Sequence, residues 1–357
     1  MECGGTLRKV GGSFGRFVVP GKFPVVTSVP FQARRDPELE PEAIRAGLAR
    51  IHPAFRASPQ YEHEALGARA GAPVIVKVET VNPIRAFKGR GTWLAIEGLA
   101  GEGTLGRERP VVCASTGNFG QGVAFAARAF DIPAIVYADE YANPVKLERI
   151  RSFGARVVLH GRDFDAAREA AADYAEAEGG YLLVDGQDPR IAAGAATIAL
   201  ELTDAIAAGA LPPLRTAYIP LGNGALIVGI GAWLRHASPA TRIVGVAASG
   251  APSMVRSWEA QQVIETAEAA TYAEGIACRV PVPEALEMMV GRIDDLLLVS
   301  EEQLYAADAD LRAVTGITVE GAAAASWAGL LADPRRTAGG DGDGASLVLV
   351  TGSNVSA

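Results

Sequence analysis

Cysteine is scarce in this chain. Cys3, Cys113 and Cys278 are far apart and odd in number, so neither a disulfide framework nor a zinc cluster is indicated. The four histidines, His52, His63, His160 and His236, are equally scattered, and no metal site built from His and Cys is expected. No apolar run approaches the ~20 residues that span a bilayer. The first 20 residues are rich in glycine and lack the apolar core of a secretion signal, so a reducing cytoplasm is the expected setting. Positive charge is in deficit too. The 33 Lys and Arg against 41 Asp and Glu leave a net charge of −8, which argues against non-specific binding to nucleic acid. Lysine is rare: Lys9, Lys22, Lys77, Lys88 and Lys146 are the full set. A coding bias toward arginine explains most of that imbalance, but chemistry that needs a lysine amine has a short list of candidates.

What is present has the composition of a globular chain, 49% hydrophobic and 21% charged. At 357 residues it is long enough for two domains or one large α/β unit, with a core that needs no disulfides. β-Branched and apolar runs at 73–79, 111–113, 134–138, 156–159, 181–184, 217–219, 242–246 and 346–350 predict strands. Helices are predicted at 92–99, 121–130, 144–153, 164–178 and 191–208, and from Ala225 to Arg235. Strands apolar on both faces and alternating with helices imply parallel sheets covered by helices. Residues 1–50 are expected to form a loop-rich N-terminal extension with a short helix from Asp36 to about Arg50, Pro41 in its first turn. Residues 333–344 are expected to form a flexible surface loop before the last strand. No second C-terminal domain is expected, and with it no feedback control by a distant amino-acid domain.

Several segments carry chemistry. Asn82-Pro-Ile-Arg-Ala-Phe-Lys88-Gly-Arg-Gly91 follows a strand and opens a helix. A lysine at that junction lies over the C-terminal edge of a parallel sheet, where ligands of such folds gather. A buried lysine loses its charge easily and becomes a nucleophile. The glycines beyond it would let a flat ring approach the backbone. Taken alone, the same residues suit a surface lysine in a basic turn with Arg85 and Arg90. Ser115-Thr-Gly-Asn-Phe-Gly-Gln-Gly122 lies between a buried strand and a helix. It reads as an anion cradle of backbone N–H groups and hydroxyls, or as an ordinary glycine-rich turn with a Ser or Thr cap. Pro220-Leu-Gly-Asn-Gly-Ala-Leu226 allows a tight phosphate loop. It lacks the third glycine of a dinucleotide fingerprint and the Gly-Lys-Ser/Thr of a triphosphate loop. Thr351-Gly-Ser-Asn354 ends the last strand and, in isolation, is a C-terminal turn.

In series these motifs resemble one family, the fold-type II pyridoxal-phosphate enzymes, the group of threonine dehydratase, serine racemase, threonine synthase and cysteine synthase. Their order and spacing agree from Pro53 to the C-terminus, and the segments 154–161 and 191–198 look most like the dehydratase branch. The resemblance implies an α/β fold of the tryptophan synthase β type, with two parallel-sheet, three-layer domains and the cofactor in the cleft between them. The large domain would use residues 1–109 and 188–357, and the small inserted one residues 110–187. The cofactor would be pyridoxal 5'-phosphate. Lys88 would hold it as an imine and later take the substrate's Cα proton. Phe87 would pack beneath the ring and Asn118 would hydrogen-bond its phenolic oxygen. Gly222, Asn223, Gly224, Ala225 and Leu226 would bind the phosphate through backbone N–H groups, and Thr351 would meet the pyridine nitrogen. Ser115, Thr116, Gly117, Asn118 and Phe119 would form the substrate-carboxylate loop. Thr116 also stands where racemases carry a reprotonating serine, which makes it a second candidate catalytic residue.

The departures from the family pattern are informative. Arg85 and Ala86 replace the usual Gly and Ser, and Phe119 replaces the His common in dehydratases. Arg85 would either reach an anionic distal group on the substrate, or turn to solvent or pair with an acid such as Glu79. Ala247 and Ser253 stand where some relatives carry metal-binding acids, so no metal is expected. The expected reaction is loss of water, with release of ammonia, from a β-hydroxy amino acid such as L-threonine or L-serine. The alternative is elimination or replacement on an O-phosphorylated or O-acylated amino acid. A homodimer with a small-molecule substrate is expected, without nucleic-acid or membrane partners.

Overall fold

The computed structural model describes residues 30–337 and 344–355. The glycine-punctuated start of the chain and half of the segment read as a flexible loop at 333–344 lie outside the described residues. The described strands form two sheets. The larger has the order β1 (Gln60–Glu62), β2 (Val74–Val78), β10 (Ala345–Val350), β7 (Leu214–Pro220), β8 (Arg242–Ala248) and β9 (Asp295–Val299). All its pairings are parallel except that of β1 with β2. The smaller has the order β5 (Arg156–Leu159), β4 (Ala134–Ala138), β3 (Val111–Ala114) and β6 (Tyr181–Leu182), all parallel.

Helices cover both faces of each sheet, as buried parallel strands require. In the larger sheet the side chains divide by alternation. Ile75, Ala217, Ile219, Leu347 and Leu349 pack with α1 (Pro41–Arg50), α7 (Pro189–Ala207), α8 (Ala225–Ala237), α9 (Ser253–Ala260) and α10 (Pro283–Met289). Val74, Val76, Val78, Val348 and Val350 pack on the other face with α2 (Glu64–Ala70), α11 (Glu301–Thr315) and α12 (Gly321–Ala332). In the smaller sheet Val111, Cys113 and Val136 face α3 (Lys88–Gly101), α4 (Asn118–Ala129) and α5 (Pro144–Ser152). Val112, Ile135 and Tyr137 face α6 (Phe164–Glu178). Among the described residues no helix is long and apolar enough to cross a membrane.

The structure amends the sequence reading at several points. α3 and α4 begin at Lys88 and Asn118 rather than at 92 and 121, so both motifs supply the first turn of a helix. The predicted strand at 181–184 stops at Leu182. The helix expected over 36–50 is split into a 3-10 turn at Pro37–Leu39 and α1, with Pro41 as its first residue. Asp333 is not on the surface: fully buried just past α12, it accepts from Tyr218 Oη at 2.9 Å and pairs with Arg242 at 2.5 Å. The glycines after Lys88 serve packing. A Cβ on Gly89 would lie 2.2 Å from the Phe55 ring, and one on Gly91 2.4 Å from the Ile191 carbonyl oxygen of α7. Gly194 faces Gly91 in return, its Cβ position 2.4 Å from the Gly91 Cα. These positions bring α3 and α7 into backbone contact, which fixes where Lys88 emerges.

Candidate active site

Between β2 and α3 the chain turns through residues 79–87. Asn82 holds this loop in shape. Its Nδ2 donates to the carbonyls of Glu79 and Ala86 at 2.8 and 3.2 Å, and its Oδ1 accepts from the amides of Ile84 and Ala86 at 3.1 and 3.3 Å. The loop is laced to the end of β10. The Phe87 amide donates to the Thr351 carbonyl and the Ser353 amide to the Arg85 carbonyl, both at 3.0 Å, and Asn354 Nδ2 donates to the Ile84 carbonyl at 2.7 Å. Lys88 and Thr351 are thereby set side by side although 263 positions separate their numbers.

Beneath Lys88, Arg90 is fully buried and not part of a surface turn. It bonds both oxygens of Glu79, at 2.8 and 2.9 Å, and both oxygens of Glu201, at 2.9 Å each. Lys77, also fully buried, pairs with Glu201 at 2.8 Å. Burial lowers the Lys77 pKa against the pull of Glu79 and Glu201. Burial would raise that of Glu201, but Arg90 and Lys77 hold it down at about 2. The first turn of α3 is thus pinned by charge as well as by glycine packing.

Lys88 opens into a cavity of about 1090 Å³ between the two sheets. Of the sequence-derived candidates, Phe87, Lys88, Ser115, Thr116, Gly117, Asn118, Phe119, Gly222, Asn223, Gly224, Ala225, Leu226 and Thr351 all line it. Arg85 does not. It is exposed with a left-handed backbone (φ 51°), in the turn that precedes Phe87. Its turn places it outside the lining of the cleft, on the solvent side. Glu79, its alternative partner, is taken by Arg90 and by Ser58. Ser253, at a position considered for metal ligation, donates its hydroxyl to the Cys278 carbonyl at 2.6 Å.

Two helix starts bring unpaired amides into the cavity. Ser115 Oγ folds back to accept from Gly117 and Gly120 at 3.2 and 2.9 Å. It shapes the loop from within. The amides of Thr116, Asn118 and Phe119 have no acceptor among the described residues. The amides from Gly222 to Leu226 likewise have none. Gly224 takes a left-handed conformation (φ 95°), and a Cβ on Gly222 would lie 2.8 Å from the Gly275 carbonyl oxygen. Only glycine fits at either position. Bare amides at a helix N-terminus form an anion site, and the loop at 222–226 fits a phosphate group. The rings of Phe87 and Phe119 flank the lysine, with centroids 4.8 and 5.9 Å from Nζ.

Three residues missed by sequence reasoning stand in the same cavity. Asp185 follows β6 and bonds Lys88 Nζ at 2.5 Å. Glu320, at the start of α12, accepts from Asn118 Nδ2 at 2.9 and 3.1 Å, and Asn354 Nδ2 donates to Asn118 Oδ1 at 2.6 Å. Cys278 also lines the wall, but burial pushes its thiol up to about 11, so it is not a thiolate nucleophile at neutral pH.

A shielded lysine amine between two parallel sheets, with an amide loop fit for phosphate on one side and a strand-end hydroxyl near it, defines an α/β enzyme that carries a phosphorylated cofactor on lysine. Residues 51–352 match the family described as pyridoxal-phosphate dependent enzyme, and the chain belongs to it. The chain is 33% identical over 287 residues to the L-threonine ammonia-lyase of Geobacter sulfurreducens, a match covering 80% of this chain and 68% of that protein. It is 33% identical over 261 residues to the L-threonine ammonia-lyase of Thermotoga maritima, covering 73% and 63%. It therefore spans 68% and 63% of the length of these relatives. Among solved structures it is similar to the processed form of threonine deaminase isoform 2 from Solanum lycopersicum, with a TM-score of 0.78 and 26% identity, covering 95% of this chain and 90% of that one. The fold is that of the fold-type II pyridoxal-phosphate enzymes.

Proposed function

We propose that this protein is a pyridoxal-phosphate-dependent ammonia-lyase that eliminates water from a β-hydroxy amino acid such as L-threonine or L-serine. The products are a 2-oxo acid and ammonia. The observation that carries the reading is the placement of Lys88 in one cavity with Asn118, Thr351 and the unpaired amides of 222–226. The threonine ammonia-lyases and the threonine deaminase to which the chain is similar support the choice of reaction. When bound, pyridoxal phosphate supplies an electron sink for the pair left at Cα. Lys88 holds the cofactor and takes the Cα proton. The 222–226 amides and the N-terminus of α8 hold the phosphate. The free amides of Thr116, Asn118 and Phe119 hold the substrate carboxylate. Thr351 offers the pyridine nitrogen a hydroxyl without a charge, which favours quick loss of a leaving group over a long-lived carbanion.

Elimination from an O-phosphorylated substrate is the second reading; it would lean on Arg85, which is exposed and outside the cavity lining. We read residues 110–187 as a smaller inserted domain, supported by the strands β3 to β6 pairing among themselves. A homodimer, resting on the family resemblance, and a cytoplasmic setting, resting on free buried Cys113 and Cys278, complete the proposal. The test is a spectral screen of amino acids with 2-oxo acid and ammonia assayed for each hit, followed by borohydride reduction and peptide mapping. A label on Lys88 and both products from threonine or serine are expected. A label on Lys77 or Lys146 would sink the assignment.

A further inference from the structure

We propose that Asp185 is the proton acceptor that converts the incoming substrate's ammonium group to a neutral amine and so lets it displace Lys88 from the cofactor. The inference rests on the reading of Lys88 given above. Asp185 Oδ2 lies 2.5 Å from Lys88 Nζ, and the two side chains are shielded to 13% and 15% exposure. The other carboxylate oxygen, Oδ1, is buried and has no hydrogen-bond partner among the described residues. A shielded carboxylate oxygen without a donor is costly, and here it belongs to a residue that lines the substrate cavity.

The backbone on either side of Asp185 is held in place, and Asn223 Nδ2 donates to its Oδ2 at 3.5 Å. The Leu183 amide donates to the Val112 carbonyl at 2.8 Å. Gly186 packs so closely on the phosphate loop that a Cβ would lie 2.5 Å from the Asn223 carbonyl oxygen. Several other acids of the cavity are committed elsewhere: Asp165 to Arg168 and Arg279, Glu274 to Lys146, Asp308 to Arg312, and Glu320 to Asn118 and Asn354. Asp185 is the one that bonds the lysine nitrogen.

An amino acid arrives at neutral pH as an ammonium ion, which has no lone pair with which to attack. Asp185 takes one proton from that nitrogen, giving a neutral amine and a carboxylic acid. With the cofactor held on Lys88, that amine would take the place of the Lys88 nitrogen, its two hydrogens passing to Lys88 as it is displaced. The proton stays on Asp185, so Lys88 departs as a neutral amine whose lone pair is free for the Cα proton. At the end of the cycle Asp185 would return its proton to the nitrogen that is released. No proton is gained or lost in the exchange.

The experiment uses the holoenzyme and follows the absorbance of the bound cofactor after rapid mixing at neutral pH. One reagent is L-threonine or L-serine, whichever changes the wild-type spectrum. The other is hydroxylamine, which is uncharged at that pH and needs no deprotonation. Borohydride mapping to Lys88 is done in parallel for every variant. Asp185→Asn should keep the label on Lys88 and react with hydroxylamine at the wild-type rate. Its reaction with the amino acid should be at least about 100-fold slower, the lower end of general acid–base effects. Asp185→Glu, which keeps a carboxylate, should recover part of that loss, and it carries the same comparison should the asparagine variant fail to retain cofactor. An unchanged rate with the amino acid, or an equal loss with both reagents, overturns the proposal. A wild-type label away from Lys88 overturns the cofactor reading instead.

Discussion

The carboxylate of Glu320 sits astride the side-chain nitrogen of Asn118, at 2.9 and 3.1 Å, and also takes the Asn354 amide at 2.6 Å. Asn354 in turn donates to the other end of Asn118. Both faces of the Asn118 amide are therefore oriented by residues near the end of the chain's last described strand and the start of α12. Asn118→Ala should retain cofactor but lose most activity, since an orienting hydrogen bond is worth ~1–3 kcal/mol when its loss strands a shielded partner. Turnover and the cofactor spectrum report together, and no change in either would contradict the placement of Asn118 at the ring.

Burial pushes the Glu320 carboxyl above its ordinary value, while the bonds from Asn354 and Asn118 pull the other way. The folded chain thus keeps this proton to higher pH than the unfolded chain does. Protons bound in excess by the folded state make stability fall as pH rises through that window. Glu320→Gln removes the titration. Its melting temperature should improve relative to wild type as pH rises from the ordinary carboxylate range to neutrality. A gap that is flat with pH would count against the assignment.

Glu201 behaves in the opposite sense. Arg90 and Lys77 hold it at about 2, so its contribution is present above the unfolded carboxylate value and is lost as pH falls toward about 2. Glu201→Gln at neutral pH leaves Arg90 and Lys77 short of a counter-charge. Denaturant unfolding should then show a loss of about 3–5 kcal/mol, shrinking in acid.

Arg85 bears a left-handed backbone in an exposed turn. Arg85→Gly should change stability by less than about 1 kcal/mol, in the stabilising direction, because the strained conformation costs glycine nothing. The ratio of activity on neutral and anionic substrates should stay as in wild type. A selective loss on the anionic one would return Arg85 to the site.

Gly229 of α8 meets α7 so closely that an added Cβ would lie 2.0 Å from the Ala192 carbonyl oxygen. Gly229→Ala must push the two helices apart and should lower stability by about 1–3 kcal/mol. Thermal melts of the holoenzyme would show it, with cofactor affinity falling too because α8 carries the phosphate loop.

The sequence was most legible where chemistry and pattern coincide. β-Branched runs marked the inner strands, and the motifs around Lys88, Asn118, Gly222 and Thr351 line one cavity. Legibility fell where burial erased periodicity. α12 reads Gly-Ala-Ala-Ala-Ala-Ser-Trp-Ala-Gly-Leu-Leu-Ala, buried from Ala322 to Leu330, so it offers no polar face to set a helical period. β1 has three residues, and β9 is half-exposed along most of its length. Asp185 sits in an Asp-Gly pair that reads as a turn, and its partner lies 97 positions away. Glu320 precedes an alanine run and meets Asn118 across 202 positions. Such pairings exist only once the two sheets are folded, and no local spacing announces them.

β10 is the last described strand to be synthesised, yet it lies between β2 and β7 in the interior of its sheet. While the chain emerges from the ribosome, β2 and β7 each display an open edge that only this distant segment can cover. Exposed apolar edges invite pairing with other chains, and pairings between such remote segments form slowly. The part of the pocket that includes Thr351 is assembled in the same event, so the cofactor site is incomplete until this strand has joined the sheet.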